Sequence, residues 1–163
     1  LFDAAPEQIE VVVHPQSIVH SMVEFVDGSM LAQCGVPDMR VPILYCLGFP
    51  DRLTFDFAPF APARWQNLNF LPMDPARYPA VPLAYEVLQR GGDAGAVLNA
   101  VDEVATAAFL DGRIPFPAIT ALSQRVLAER SPRPIDSLQD VLAADAEGRS
   151  AANRILSCEN SWS

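Results

Sequence analysis

The sequence predicts an α+β fold: the end of a mixed or antiparallel sheet domain with a hairpin and a short helix, then a Pro/aromatic connector, then a small carboxy-terminal helical bundle. Three observations carry this. Ser17 to Val26 alternates and runs into Asp27-Gly28, the strongest short hairpin signal. Seven of the fifteen prolines fall between Gly48 and Pro82, a density that breaks both ladders and helices. Beyond Pro82 the apolar residues recur at helical spacing. The boundaries are residues 1–50 for the end of the sheet domain, 51–80 for the connector, 81–157 for the bundle and 158–163 for a tail.

In chain order, Ile9 to Val13 is β-branched and reads as a strand, followed by the hairpin Ser17–Val26 and Ser29–Gln33. Gly35 and Pro37 break the ladder, and Asp38 caps a short helix to about Leu47 with Pro42 in its first turn. The connector carries Phe49, Phe55, Phe57, Phe60, Trp65, Phe70 and Tyr78, too apolar for a flexible linker, so it should lie plastered on a surface, with a short strand at Asn67–Leu71. Val81, Ala84, Tyr85 and Leu88 share one helical face, and Gly91-Gly92 ends that helix. Asp93 caps a long helix to Leu110 with Val97, Val101, Val104 and Ala108 as its apolar stripe. A third helix starts near Pro117 and buries Ile119, Leu122, Val126 and Leu127. The last segment has a cap at Asp136 or Ser137 and a second at Asp145, which predicts two further short helices. Short connections between amphipathic helices imply antiparallel packing.

Half of the 163 residues are hydrophobic and 19% are charged, the balance of a folded chain. The net charge of -9 repels phosphate backbones, which argues against nucleic acid as a partner. No apolar run approaches the roughly 20 residues that cross a bilayer, so no membrane segment is expected. Cys34, Cys46 and Cys158 are odd in number and widely spaced, which fits a reducing compartment better than a disulfide framework. The opening Leu1-Phe2-Asp3-Ala4-Ala5 has neither an initiator Met nor a signal-peptide pattern, so a processed or partial chain is expected.

His14 and His20 are the only histidines. On an extended chain they stand roughly 20 Å apart, and no third His or Cys is near in sequence, so a metal site built from this chain is not expected. The plainer account of His20 is a half-buried strand histidine. No GxSxG elbow, GxGxxG loop or His-Glu-x-x-His helix is present. Asn99, Asp102 and Glu103 form a polar stripe that reads as a solvated face. Gly35-Val36-Pro37-Asp38-Met39-Arg40 is a rigid turn presenting a thioether and a guanidinium, suited to a flat ring or an anion.

Ile9-Glu10-Val11-Val12-Val13-His14-Pro15-Gln16-Ser17-Ile18-Val19-His20-Ser21-Met22-Val23 resembles the strand signature of the 1-deoxy-D-xylulose 5-phosphate reductoisomerase family. The spacing to Asp27-Gly28-Ser29 and to Gly35–Arg40 matches as well. Asp74-Pro75-Ala76-Arg77-Tyr78-Pro79 is similar to the family's entry to its end domain, and Leu98 to Leu110 to its long helix. The match runs from about Leu1 to Ser157. Asp102 stands where the family commonly has Asn, and Cys158 to Ser163 resembles no ending of the family.

The resemblance implies an oxidoreductase and isomerase of non-mevalonate isoprenoid biosynthesis that uses NADPH and Mg or Mn. Its reaction rearranges and reduces 1-deoxy-D-xylulose 5-phosphate to 2-C-methyl-D-erythritol 4-phosphate. It implies an amino-terminal Rossmann domain, a central catalytic domain whose sheet makes a homodimer, and a helical end domain; residues 1–50 then end the catalytic and dimerisation domain. The family's metal-binding carboxylates, phosphate-binding residues and mobile loop precede the stretch matching His14, so no metal ligand carries over and these residues alone should be inactive. His20 matches a histidine near the active site, and Pro37 and Met39 match the turn against the nicotinamide ring. The location implied is the cytoplasm of a bacterium or the plastid stroma. The rival expectation is a non-catalytic module for dimer formation or partner binding.

Overall fold

The computed structural model describes residues 4–57, 61 and 67–158, and within them the chain divides into two compact units, one of residues 10–73 and one of residues 74–158 with those up to Ile9. The expected Phe60 and Trp65 of the connector lie outside the described residues.

In the first unit, β1 (Val12–Val13) pairs antiparallel with β4 (Leu71–Pro72), and β2 (Val19–Glu24) pairs antiparallel with β3 (Met30–Cys34). The Asp27-Gly28 signal is a hairpin turn: the Phe25 N–H donates to Ser29 O at 2.9 Å, and Gly28 takes a φ of 80°. Asp27 Oδ1 accepts from the Ser29 hydroxyl at 2.6 Å and the Ser29 N–H at 2.9 Å, bonds that hold its carboxyl below the usual range. The strand expected over Ile9–Val13 is only two residues long. It is cut off by a turn in which the Ser17 N–H donates to His14 O at 3.0 Å with Ser17 at φ 51°. The connector strand is equally short and sits later than expected, at Leu71–Pro72, and ends at a residue that cannot donate to a ladder. The helix α1 (Arg40–Gly48) follows β3, with none of its residues buried. Ile18 is the one buried hydrophobic residue of this unit among the described residues.

The second unit is a helical bundle of α2 (Ala80–Arg90), α3 (Ala94–Leu110), α4 (Pro117–Ala128) and α5 (Leu138–Cys158). Its core comes from the predicted stripes of α3 and α4, with Val97, Val101, Leu122, Val126 and Leu127 no more than 2% exposed. The face expected for α2 is rotated. Leu83 and Val87 are buried while Leu88 is 58% exposed, because the same side of the helix carries Arg90, whose Nη1 donates to Leu127 O at 2.6 Å. Ahead of α2, the Ile9 carbonyl accepts from the Tyr85 hydroxyl at 2.6 Å.

Asp93 occupies the expected N-cap position of α3 but makes no side-chain cap. It is 2% exposed, and a carboxylate that deep must be paired. Arg130 donates to both its oxygens, at 3.2 and 2.7 Å, and the Arg133 N–H and Nε reach it at 3.0 and 3.3 Å. Burial opposes its ionisation, but these bonds prevail and keep its pKa below the ordinary 3.8. The neighbouring Gly92, at φ 53°, leaves no room for a side chain, since a Cβ there would come within 2.3 Å of Arg133 O.

The two short helices expected at the end are one. Ser137 caps α5 as predicted, its hydroxyl donating to Asp140 Oδ2 at 2.7 Å while the Asp140 N–H donates back at 3.3 Å. Asp145 lies inside the helix, paired with Arg149 at 2.7 Å. One turn further on, Gly148 sits against α3, where a Cβ would meet Ala100 Cβ at 3.1 Å and Val97 O at 3.2 Å. Small residues let α3 and α5 approach almost backbone to backbone.

Candidate functional site

Strand pairing brings His20 and the turn after β3 together. Val19 stands opposite Cys34 and Ser21 opposite Gln33, so His20 is the extra residue of a β-bulge, a feature that re-aims a side chain out of the ladder. The ladder then closes with the Gly35 N–H donating to Ile18 O at 2.9 Å. His20 is exposed rather than half-buried, and its Nε2 lies 3.6 Å from where a Gly35 Cβ would stand. The imidazole therefore flanks the start of the turn.

His14 does not join it. Its ring stacks on Phe70 with centroids 4.6 Å apart, and its Nδ1 lies 2.8 Å from Asn69 O. Its Nε2 is buried and has no hydrogen-bond partner among the described residues. The chain from His14 to His20 is not extended, since the turn ending at Ser17 separates them, and they sit beside different sheets. Among the described residues no group of three or more His, Cys, Asp or Glu could hold a metal ion.

The turn is tight. The Asp38 N–H donates to Val36 O at 2.8 Å across Pro37, and the Val41 N–H donates to Asp38 O at 3.1 Å, starting α1. Met39 occupies the N-cap position of α1 and is 72% exposed. Asp38, expected to cap α1, stands one residue before the N-cap position; its Oδ1 accepts from the Arg40 N–H at 3.0 Å in a local turn, and both oxygens of the same carboxylate accept from Arg40 Nε at 3.0 Å. Hydrogen bonds from the Arg40 side chain and then its backbone hold the Asp38 carboxyl below the usual range. The Arg40 guanidinium also lies over the rings of Phe55 and Phe57, 5.7 Å from each centroid, and those rings are 4.9 Å apart.

Among the described residues of the aromatic connector, Phe49, Phe55 and Phe70 are 69, 55 and 42% exposed, less buried than expected, and their rings contact nearby rings of the same unit. Neither the bulge at His20 nor the meeting of Arg40 with Phe55 was legible beforehand. A bulge shows only when two strands are paired, and the Arg40 contact spans a proline-broken segment.

In the bundle, the stripe Asn99, Asp102 and Glu103 is exposed, as read from the sequence. Glu103 accepts from Asn99 at 3.3 Å and from Arg149 at 2.7 Å, so it is an ion-paired, solvated face. Asn99 and Asp102 also line a groove of about 330 Å³ with Leu83, Thr120 and the buried Ser123, whose hydroxyl donates to Ile119 O at 3.2 Å. Among the described residues no helix is long and apolar enough to cross a membrane.

Residues 34–151 match the model of the DXP reductoisomerase C-terminal domain. The 1-deoxy-D-xylulose 5-phosphate reductoisomerase of Nitrosospira multiformis is 52% identical over 158 residues, covering 97% of this chain and 40% of that protein. The one from Dechloromonas aromatica is 49% identical over 156 residues, covering 96% and 39%. Among solved structures, the Zymomonas mobilis reductoisomerase in complex with NADPH superposes with a TM-score of 0.85 at 41% identity, over 95% of this chain and 41% of that one. A reductoisomerase in complex with NADPH, fosmidomycin and magnesium gives 0.88 at 33% identity, over 96% and 41%. The chain spans about two-fifths of the length of the relatives it matches.

Proposed function

We propose, because this chain belongs to the 1-deoxy-D-xylulose 5-phosphate reductoisomerase family, that it supplies the carboxy-terminal part of an enzyme of that activity. The enzyme turns 1-deoxy-D-xylulose 5-phosphate into 2-C-methyl-D-erythritol 4-phosphate, with NADPH as reductant and a divalent metal, Mg or Mn, as Lewis acid. Residues 1–50 then end the catalytic and dimerisation domain, 51–80 connect, 81–157 form the helical end domain and 158–163 the tail.

The observation that carries this reading is the Gly35–Arg40 turn beside the bulged His20. Pro37 and Met39 offer an exposed apolar and polarisable surface, which fits the back of a nicotinamide ring. When bound, the dinucleotide supplies the hydride. Pro37 and Met39 hold the ring's pose and keep water from its rear face. His20, whose Nε2 lies 3.6 Å from where a Gly35 Cβ would stand, is the histidine assigned to the neighbourhood of the reaction, and that closeness to the turn supports the assignment. The family's metal ligands have no counterpart matched on this chain, which spans about two-fifths of its relatives, so the complete active centre is assigned to the whole enzyme rather than to these residues alone.

The homodimer is assigned to the β2–β3 hairpin, whose Val23, Phe25, Met30 and Leu31 are 51 to 65% exposed. The same exposed face favours the second reading, a dimerisation or partner-binding module without catalysis. The exposed, unpaired Cys34, Cys46 and Cys158 suit a reducing compartment, the bacterial cytoplasm or the plastid stroma.

The test is to put this chain in place of the matching residues of the Nitrosospira multiformis enzyme and follow NADPH oxidation with substrate and magnesium. The chimera should turn over and the 163 residues alone should not. A folded but inactive chimera supports the module reading and overturns the enzymatic one; a metal-dependent rate from the isolated chain overturns the assignment of the chemistry to other residues.

A further inference from the structure

Met39 is 72% exposed, so little of its own side chain is held by burial. What is fixed is the backbone on either side. Asp38 and Arg40 are joined side chain to side chain and side chain to backbone, so residues 38–40 form a small closed ring with Met39 at its apex. The Asp38 N–H bond to Val36 O locks the near side of the ring to Pro37, and the Val41 N–H bond to Asp38 O locks the far side to α1. The guanidinium that closes the ring is in turn seated over Phe55 and Phe57, which come from beyond the end of α1.

We propose that Asp38 and Arg40, with Phe55 and Phe57 behind them, are positioning residues for the reductive step: their clamp holds the backbone of Met39 so that its thioether and Pro37 meet the nicotinamide ring in one pose. The inference rests on the proposed function and deepens it. Neither Asp38 nor Arg40 touches the cofactor; both act through Met39.

The competing account is a surface ion pair with no further role, and energetics separates the two. The Arg40 side chain is 65% exposed, and a pair so open to solvent contributes little to folding. Its removal should therefore leave the melting temperature almost unchanged. A clamp that sets a cofactor pose has a different signature, a change in the KM for NADPH with the KM for the sugar phosphate preserved. Arginine is also specific here, because its planar fork bonds a carboxylate in two places while stacking on rings, and a lysine ammonium does neither.

The experiment uses the chimera with the Nitrosospira multiformis enzyme and compares it with R40A, R40K, D38N and the F55L/F57L double variant. The expected result is a KM for NADPH raised about tenfold in R40A, nearly as much in R40K and less in F55L/F57L, with the sugar-phosphate KM within about twofold and the melting temperature within about two degrees. An NADPH KM that does not move in R40A overturns the clamp. So does a loss in which both KM values and the melting temperature change together, since that is a structural role, and so does full rescue by R40K, since a point charge then suffices. If the unaltered chimera is folded and inactive, it is the functional reading that fails, and the clamp falls with it.

Discussion

Val97, Val101, Leu122, Val126 and Leu127 of the bundle are at most 2% exposed, while Val23, Phe25, Met30, Leu31 and Ile43 of the hairpin unit are at least half exposed. Side-chain type does not explain the contrast, since both sets are aliphatic or aromatic. The number of faces each element can close does. Helices α2, α4 and α5 surround α3 and remove its stripe from water, each buried side chain contributing about 1.5–3 kcal/mol. Two separate two-stranded sheets and one short helix, the described elements of the first unit, have too few layers to cover a face, and an isolated hairpin is at best marginally stable in water. The first unit thus carries the candidate site on a surface whose apolar residues have no cover among the described residues. The second encloses its own core, and the sequence places none of the candidate site residues in it.

The largest effect should come from separating them. Residues 74–163 expressed alone should unfold in one cooperative thermal transition with a helical circular dichroism spectrum, and residues 10–73 alone should show no cooperative transition. A sharp transition in the hairpin piece would mean that its exposed residues are not waiting for cover, and the contrast drawn from burial would fail.

Within the bundle the contrast can be broken at one residue. Asp93→Ala leaves the 18% exposed Arg130 guanidinium without its main partner and removes the acceptor for the Arg133 N–H. Breaking a buried pair from one side costs about 3–5 kcal/mol, to be read from urea unfolding of the whole chain. The same group sets an acid limit. Its folded pKa lies below 3.8, so its contribution is fully present above that value and is lost as pH falls through the lowered folded pKa. Stability of the wild type should drop below about pH 3.8, and that part of the drop should be absent in Asp93→Asn.

Periodicity made α3 and α4 legible almost to the residue, because one face of each is buried and its 3.6-residue stripe is strong. It misplaced the face of α2, where Arg90 chooses the docking side through a carbonyl that no pattern in α2 reveals. It also split α5 at Asp145, since an aspartate reads as a cap until its Arg149 partner is seen. Asp93 shows the same ambiguity: its cap position was right and its bonding partners were not, because Arg130 and Arg133 are some forty residues away. The residues proposed for the candidate site came from a family resemblance, and their arrangement could not be read from the sequence. His20 meets the turn only because a one-residue register shift puts it outside the ladder.

The smallest effect tests whether the hairpin holds its own shape locally despite lacking a core. Gly28 sits at φ 80° with nothing within 4 Å of where a Cβ would stand, so substitution there meets no steric obstacle and costs only backbone strain. Ala at such a left-handed position costs about 1–2 kcal/mol, whereas Asn visits it with little penalty. Hydrogen exchange at the Phe25 amide, which donates to Ser29 O at 2.9 Å, should therefore quicken about tenfold in Gly28→Ala and barely change in Gly28→Asn. The unfolding midpoint of the bundle should stay where it is in both. If exchange at Phe25 is already unprotected in the wild type, the turn is not formed independently of its missing cover, and the hairpin depends on a partner surface even for its tightest hydrogen bonds.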